Sequence, residues 1–191
     1  MTKNKGRAGA VRIVGGRWRG TRLPVGDLEG LRPSADRVRE TLFNWLMPAL
    51  PGARVLDLFA GSGALGLESL SRGAQSATLV ERDAGLATNL REVVSRLNAG
   101  ASADIVHADA LSWLARAVSE GRRYDIAFID PPFAGDLWSA AIAGIHPLMA
   151  EDAWLYVEAP ANTDIRMPTG WLLHREGGTR EVAYRLWRRS G

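Results

Sequence analysis

The sequence predicts an α/β fold: a doubly wound, mostly parallel seven-stranded sheet ending in an antiparallel hairpin, with a small N-terminal β-hairpin arm. Two patterns carry this. From residue 54 onward, continuous apolar runs alternate with helical patterns, as parallel strands buried on both faces require. The final stretch, Trp171 to Trp187, reads instead as two strands about a Gly177-Gly178 turn. The chain's 191 residues, 46% hydrophobic and 24% charged, suit one soluble domain.

The elements follow in order. Val11 to Leu23 reads as a short hairpin turning near Gly15-Gly16, with arginines flanking Trp18 on its outward side. The spacing of Val38, Leu42, Trp45 and Leu46 predicts a helix from Ser34, with Ser34 as its cap and Asp36 in its first turn. Pro48 and Pro51-Gly52 end it. Apolar runs at 54–59, 77–81, 104–107, 125–130 and 153–159 then read as buried strands. Helical patterns lie between them near 64–73, 84–97, 109–119 and 136–147. The expected organisation is a basic arm over 1–31 and one larger domain over 32–191.

Composition narrows the chemistry. There is no cysteine, so disulfides, thiolate metal sites and cysteine nucleophiles are excluded. Three histidines make a histidine-rich metal site a poor fit, and no metal is expected. No apolar run approaches the roughly 18 residues of a membrane helix. The basic segment Met1 to Arg7 has no apolar run behind it, unlike a secretion signal, which predicts a cytoplasmic protein.

Charge is distributed unevenly. Residues 1–23 hold seven basic side chains and no acidic one, and residues 175–189 hold five arginines against Glu176 and Glu181. Between 41 and 174, nine arginines face fifteen carboxylates. A negative body with positive ends suits a polyanionic partner gripped by the ends. Arg outnumbers Lys 22 to 2, so genomic composition is a competing explanation.

The candidate site residues lie at the ends of the predicted strands. The first strand runs into Asp57-Leu-Phe-Ala-Gly-Ser-Gly-Ala-Leu-Gly66, where glycines let the backbone approach a ligand at a helix N-terminus. An acidic Asp57 ahead of that loop suits a cationic ligand better than a pyrophosphate. Glu81 closes the second strand, at the usual distance for a carboxylate that holds ribose hydroxyls. Asp109 follows the third strand and could meet an adenine amine. Asp130-Pro-Pro-Phe133 closes the fourth: a rigid group of acceptors, the Asp130 carboxylate and the Pro131 carbonyl, beside an aromatic face. That set suits a planar group bearing an exocyclic NH₂. Each feature alone also occurs as an ordinary turn or solvated strand end; successive strand ends at one sheet edge are harder to dismiss.

Together, Asp57 to Gly66, Glu81, Asp109 and Asp130 to Phe133 resemble the seven-stranded, Rossmann-like S-adenosylmethionine-dependent methyltransferases that modify amines. The segment Arg32-Pro-Ser-Ala-Asp-Arg-Val-Arg-Glu-Thr-Leu-Phe-Asn-Trp-Leu46 and the basic hairpin narrow the resemblance to the small-subunit rRNA guanine-N2 methyltransferases, the RsmD family. It extends from about Arg12 to Trp187. Ser34 and Phe133 depart from it mildly, where threonine and tyrosine are commoner.

The resemblance implies methyl transfer from S-adenosylmethionine to a guanine N2 amine of 16S rRNA, within an assembled particle and by a monomer. It implies Asp130, Pro131 and Phe133 as catalytic residues. Asp57, Phe59, Gly61, Gly63, Glu81, Asp109 and Ala110 would hold the cofactor. Arg12, Arg17, Trp18, Arg19 and Arg22 would contact RNA. A DNA adenine-N6 methyltransferase could use the same tetrapeptide but usually carries a target-recognition insertion for which this chain has no room. A glutamine-modifying protein methyltransferase typically has Asn at position 130. A non-catalytic RNA-binding module would be expected to have eroded Asp57 or Asp130-Pro-Pro-Phe133.

Overall fold

The order of strands in the sheet puts one edge of the molecule at a topological switch. In the computed structural model, which describes residues 10–25, 33–133 and 135–190, the chain first forms β1 (Ala10–Arg12), β2 (Arg22–Pro24) and α1 (Pro33–Leu46). It then alternates through β3 (Arg54–Asp57), α2 (Ala64–Ser71), β4 (Ser76–Glu81), α3 (Ala84–Arg96), β5 (Ala103–His107), α4 (Ala110–Ser119), β6 (Tyr124–Ile129) and α5 (Trp138–Ile145). Three strands close it: β7 (Met149–Pro160), β8 (Trp171–Gly178) and β9 (Val182–Arg189). The sheet order is β5-β4-β3-β6-β7-β9-β8. Strands β3 to β7 pair in parallel, and β9 pairs antiparallel with both β7 and β8. The chain leaves β3 outward through β4 and β5, then returns to β6 on the other side of β3. A crevice opens at the carboxyl ends where that reversal occurs.

The central apolar runs are strands because both faces are covered, whereas β5, expected to be buried, lies at the sheet edge with every residue at least partly exposed. One buried cluster gathers Leu42, Phe43 and Leu46 of α1 with Leu67 of α2 and Leu90 and Val93 of α3. The other gathers Trp113 and Leu114 of α4 with Trp138, Ile142 and Ile145 of α5. Asp83 and Asp109 cap α3 and α4, accepting the amides of Leu86 and Ser112 at 2.8 and 2.9 Å. No side chain caps α2 at Gly63. The orphan amide of Gly66 in its first turn is met instead by Asp57, from the end of β3.

The arm is fastened to the C-terminal turn of α2. Glu68 is fully buried; one carboxylate oxygen accepts the Val14 amide and the other the Arg72 guanidinium, each at 2.7 Å. The Ser71 hydroxyl donates to the Gly15 carbonyl at 2.6 Å and accepts the Trp18 amide at 2.9 Å. The Arg39 guanidinium donates to the Arg12 carbonyl and to Asp36, both at 2.7 Å. Val11, Ile13 and Leu23 bury their side chains in the first cluster.

Four expectations from the sequence shift. The hairpin does not reverse tightly at Gly15-Gly16. Its strands are joined by residues 13–21, which bend at Gly16 and Gly20 with φ of +75° and +87° and wrap the end of α2. Helix α1 begins at Pro33, so Ser34 is a helical residue and not the cap; Pro is favoured at a first helical position. The basic residues Lys3, Lys5, Arg7 and Arg32 lie outside the described residues. The predicted helix over 136–147 is shorter, because Pro147 lacks the amide a further α-turn requires, and His146–Leu148 forms a single tight turn. The closing turn falls at 179–181, after the two glycines. Gly177 and Gly178 are strand residues, and a side chain at Gly177 would collide with the Tyr184 ring. The Thr179 hydroxyl makes the turn by accepting the amides of Glu181 and Val182 at 3.3 and 3.2 Å.

Glu68→Ala removes one partner of a buried ion pair and leaves the Val14 amide without its acceptor. The expected loss is about 3 kcal/mol, or roughly 6–12 °C in Tm for a domain of this size. Thermal denaturation checks it, and an unchanged Tm would show that this clamp does not hold the arm.

Candidate functional site

The carboxyl edge of the sheet concentrates acidic side chains. Asp57 ends β3 and Glu81 ends β4, and both are buried, at 2% and 8% exposure. Asp130 follows β6 directly, and Glu158 lies in β7. The parallel register pairs Phe128 with Tyr156 and Ile129 with Val157. The next step brings Asp130 alongside Glu158.

Two of these carboxylates organise the glycine loop from beneath. Asp57 accepts the Gly66 amide at 2.9 Å. Glu81 accepts the Gly61 amide at 2.8 Å with one oxygen and the Asp83 amide at 2.7 Å with the other. A carboxylate offers about four acceptor positions, so Glu81 retains capacity toward a ligand. The loop glycines differ in purpose. A side chain at Gly63 would strike Leu90 and one at Gly66 would strike Leu79, whereas nothing lies within 4 Å of one placed at Gly61. Gly61 therefore borders open space, with a backbone φ of +52° that glycine tolerates.

A cavity of about 510 Å³ opens beside this edge, within the roughly 300–1,000 Å³ usual for small-ligand sites. Asp130, Phe133, Tyr156, Glu158 and Tyr184 line it, together with Arg39 from α1. Phe133 is half exposed, its ring centroid 6.1 Å from that of the buried Trp138. Trp138 in turn donates its indole N–H to the Glu158 carbonyl at 2.8 Å. The Tyr156 hydroxyl donates to the Glu158 carboxylate at 2.8 Å. Gly177 gives the Tyr184 ring its room.

Burial makes ionisation costly here. It pushes the Asp57 carboxyl up to about 7, against the Gly66 amide that favours its charged form, and the Glu81 charge adds to the rise. Burial also raises Asp130 well above the usual carboxylate range, reinforced by Glu158 and Asp57. Glu158 is raised by burial despite the Tyr156 hydrogen bond. The result is an acidic edge that a cation would relieve, with the Asp57 carboxyl able to hold a proton near neutrality. The same edge provides acceptors for N–H donors and an aromatic ring for a planar ligand.

Not every residue expected at the site gathers there. Asp130 and Phe133 line the cavity, and Pro131 between them is buried while Pro132 is exposed. Phe59 is half-buried against the second core cluster. Asp109 is an exposed cap whose carboxyl is held down by the Ser112 amide, and Ala110 is the first, buried residue of α4. Arg12, Arg17, Arg19 and Arg22 are exposed on the arm. Trp18 is partly buried against the core, and the Arg17 guanidinium sits 4.1 Å from its ring centroid. One face of that indole is thus already occupied by the cation. Arg39, Tyr156, Glu158 and Tyr184 were not singled out from the sequence; only strand register and the packing of α1 bring them to the cavity.

A family model described as Conserved hypothetical protein 95 matches residues 11–188. The chain is 46% identical over 190 residues to Ribosomal RNA small subunit methyltransferase D of Escherichia coli K12, covering 98% of this chain and 94% of that one. The solved structure of yhhF from Escherichia coli superimposes with a TM-score of 0.87 at 47% identity, over 95% of this chain and 99% of that one. The fold is shared with SMU.776, solved in complex with SAH, at a TM-score of 0.71 and 16% identity, over 87% of this chain and 52% of that one.

The raised Asp57 carboxyl predicts a pH-dependent stability. A carboxyl with a raised folded pKa contributes stability that is complete below the unfolded value of 3.8 and is lost as pH rises through about 7. Asp57→Asn keeps an acceptor for the Gly66 amide but does not titrate. The Tm of the variant minus that of the parent should therefore rise between pH 5 and pH 8, by the equivalent of roughly 2–4 kcal/mol. A difference that is flat with pH would show that Asp57 is ionised throughout.

Proposed function

The chain belongs to the Conserved hypothetical protein 95 family, that of the ribosomal RNA small subunit methyltransferases D, and on that premise we propose that it transfers a methyl group from S-adenosylmethionine to the N2 amine of a guanine in small-subunit ribosomal RNA. The coarser part, methyl transfer to ribosomal RNA, follows the family. The finer part rests above all on Asp130, which closes β6 at the switch point beside Glu158 and next to a half-exposed Phe133.

The residues fit the methyl donor. Its ammonium and sulfonium are cations, and the buried carboxylates at this edge lack enough positive charge to ionise freely. Asp57 would face the amino-acid end, Glu81 the ribose, and the space beside Gly61 would admit close approach of the backbone. When bound, S-adenosylmethionine supplies a methyl group on a positively charged sulfur.

A guanine amine is a poor nucleophile because its lone pair is delocalised into the ring. Asp130 and the Pro131 carbonyl would accept its two N–H bonds, drawing the nitrogen toward tetrahedral geometry and localising the lone pair. The two prolines hold these acceptors still, so much of the acceleration comes from positioning. Asp130, with its raised pKa, can take the proton the amine sheds. Phe133 would stack on the base once it leaves its helix, a contact worth about 1–3 kcal/mol. The exposed arm arginines would neutralise neighbouring phosphates.

Small subunits lacking the modification, incubated with labelled methyl donor and digested to nucleosides, should yield N2-methylguanosine. Asp130→Ala should lower that yield by roughly 10²–10⁴-fold while calorimetric binding of S-adenosylmethionine stays largely intact; full activity in the variant would overturn the mechanism. The arm's role has its own measurement. Replacing Arg17 and Arg19 with Ala should flatten the slope of log affinity for RNA against log salt, by about 0.7–0.9 per lost phosphate contact, while lowering Tm by only about 1–4 °C through the lost Arg17–Trp18 contact. An unchanged slope would leave the C-terminal arginines as the RNA contacts.

A further inference from the structure

Glu158 is a half-buried acidic group that methyl transfer to an amine does not by itself require. It shares the cavity with Asp130, from the adjacent strand, and neighbouring strands lie only about 4.7–4.9 Å apart. Its position is fixed twice. The Tyr156 hydroxyl holds one carboxylate oxygen at 2.8 Å, and the Trp138 indole holds the backbone carbonyl at 2.8 Å. Two acceptors side by side, Glu158 held in place and Asp130 next to it, therefore face a pocket flanked by the rings of Phe133 and Tyr184.

Guanine presents two adjacent donors on its Watson–Crick edge, N1–H and the N2 amine. Adenine presents a lone pair at N1 and no amine at C2. Cytosine presents a lone pair at N3 beside its amine. We propose that Glu158 is the residue that selects guanine: its carboxylate accepts the N1–H while Asp130 and the Pro131 carbonyl accept the N2 amine. The proposal rests on the reading of this site as one that methylates a guanine N2. Bases that present a lone pair in place of N1–H meet a carboxylate there, and that repulsion disfavours them. A site that hydrogen-bonds a substrate donor discriminates strongly against analogues lacking it, because its own buried group is left unpaired. Tyr156 acts through Glu158 and is a positioning residue.

The decisive substrate carries 2-aminopurine in place of the guanine that receives the label, in a reconstituted small subunit. This base keeps the N2 amine but has a lone pair at N1. The parent enzyme should methylate it with a kcat/KM roughly 10–100-fold below that for guanine, the factor expected for one hydrogen bond to a charged group. Glu158→Gln keeps the size and the Tyr156 contact and offers an amide N–H to N1. It should lose activity on guanine and gain it on 2-aminopurine, so the guanine to 2-aminopurine ratio falls about tenfold or more. Tyr156→Phe should lower the same ratio less, through a rise in KM for guanine, and it provides a second reading should Glu158→Gln fold poorly. A ratio unchanged in both variants, with N2-methylguanosine still formed by the parent, overturns the role of Glu158 alone. Absence of N2-methylguanosine from the parent reaction overturns the underlying reading of the site instead.

Discussion

The structure depends on the burial of carboxylates at one edge of the sheet. Parallel strands covered on both faces leave their carboxyl ends as the place where polar chemistry can concentrate, and here β3, β4, β6 and β7 all deliver an acid to it. Three of them are tolerated because backbone amides or a hydroxyl meet part of their hydrogen-bonding capacity: Gly66 for Asp57, Gly61 and Asp83 for Glu81, and Tyr156 for Glu158. What remains unbalanced is charge. An edge of this kind is unstable toward protonation and receptive to cations and N–H donors, and those two properties describe the ligands of the proposed reaction.

The acids are also structural. Asp57 does for α2 what a capping side chain does for α3 and α4, from a strand instead of the preceding residue. Glu81 ties the glycine loop to the turn after β4, so the loop's shape is set before any ligand arrives. Pre-set geometry of this sort reduces the ordering cost of binding. It also means that substitutions at these positions change the loop as well as the charge.

The fold was legible because hydrophobic runs mark strands, and β3 to β7 lie close to the five apolar stretches that predict them, while β8 and β9 fall in the stretch read as a closing hairpin. Asp57, Glu81 and Asp130 were legible for a local reason: an acid at the end of an apolar run is visible without knowing which strands pair. Glu158 was not, because it sits inside β7 among residues that read as core. Its place beside Asp130 follows from the register of β6 on β7, which no spacing along the chain encodes. Arg39 was hidden in the same way by the packing of α1. The glycines misled in the opposite direction. Gly177 and Gly178 looked like a turn, but Gly177 is there to admit the Tyr184 ring, and the turn belongs to Thr179. Sequence identifies a glycine without saying whether its freedom or its smallness is needed.

The seam between arm and body has a consequence for modular design. The contacts that seat residues 14–18 come from Glu68 and Ser71, on the helix whose opposite end carries the glycine loop. The arm is therefore not a cassette that can be exchanged between relatives at a boundary near residue 31. A chimera that transplants the hairpin must bring the last turn of α2 with it, and that turn must remain compatible with a loop eight residues away. The sequence of the arm and the architecture of the glycine loop are in this way constrained to change together.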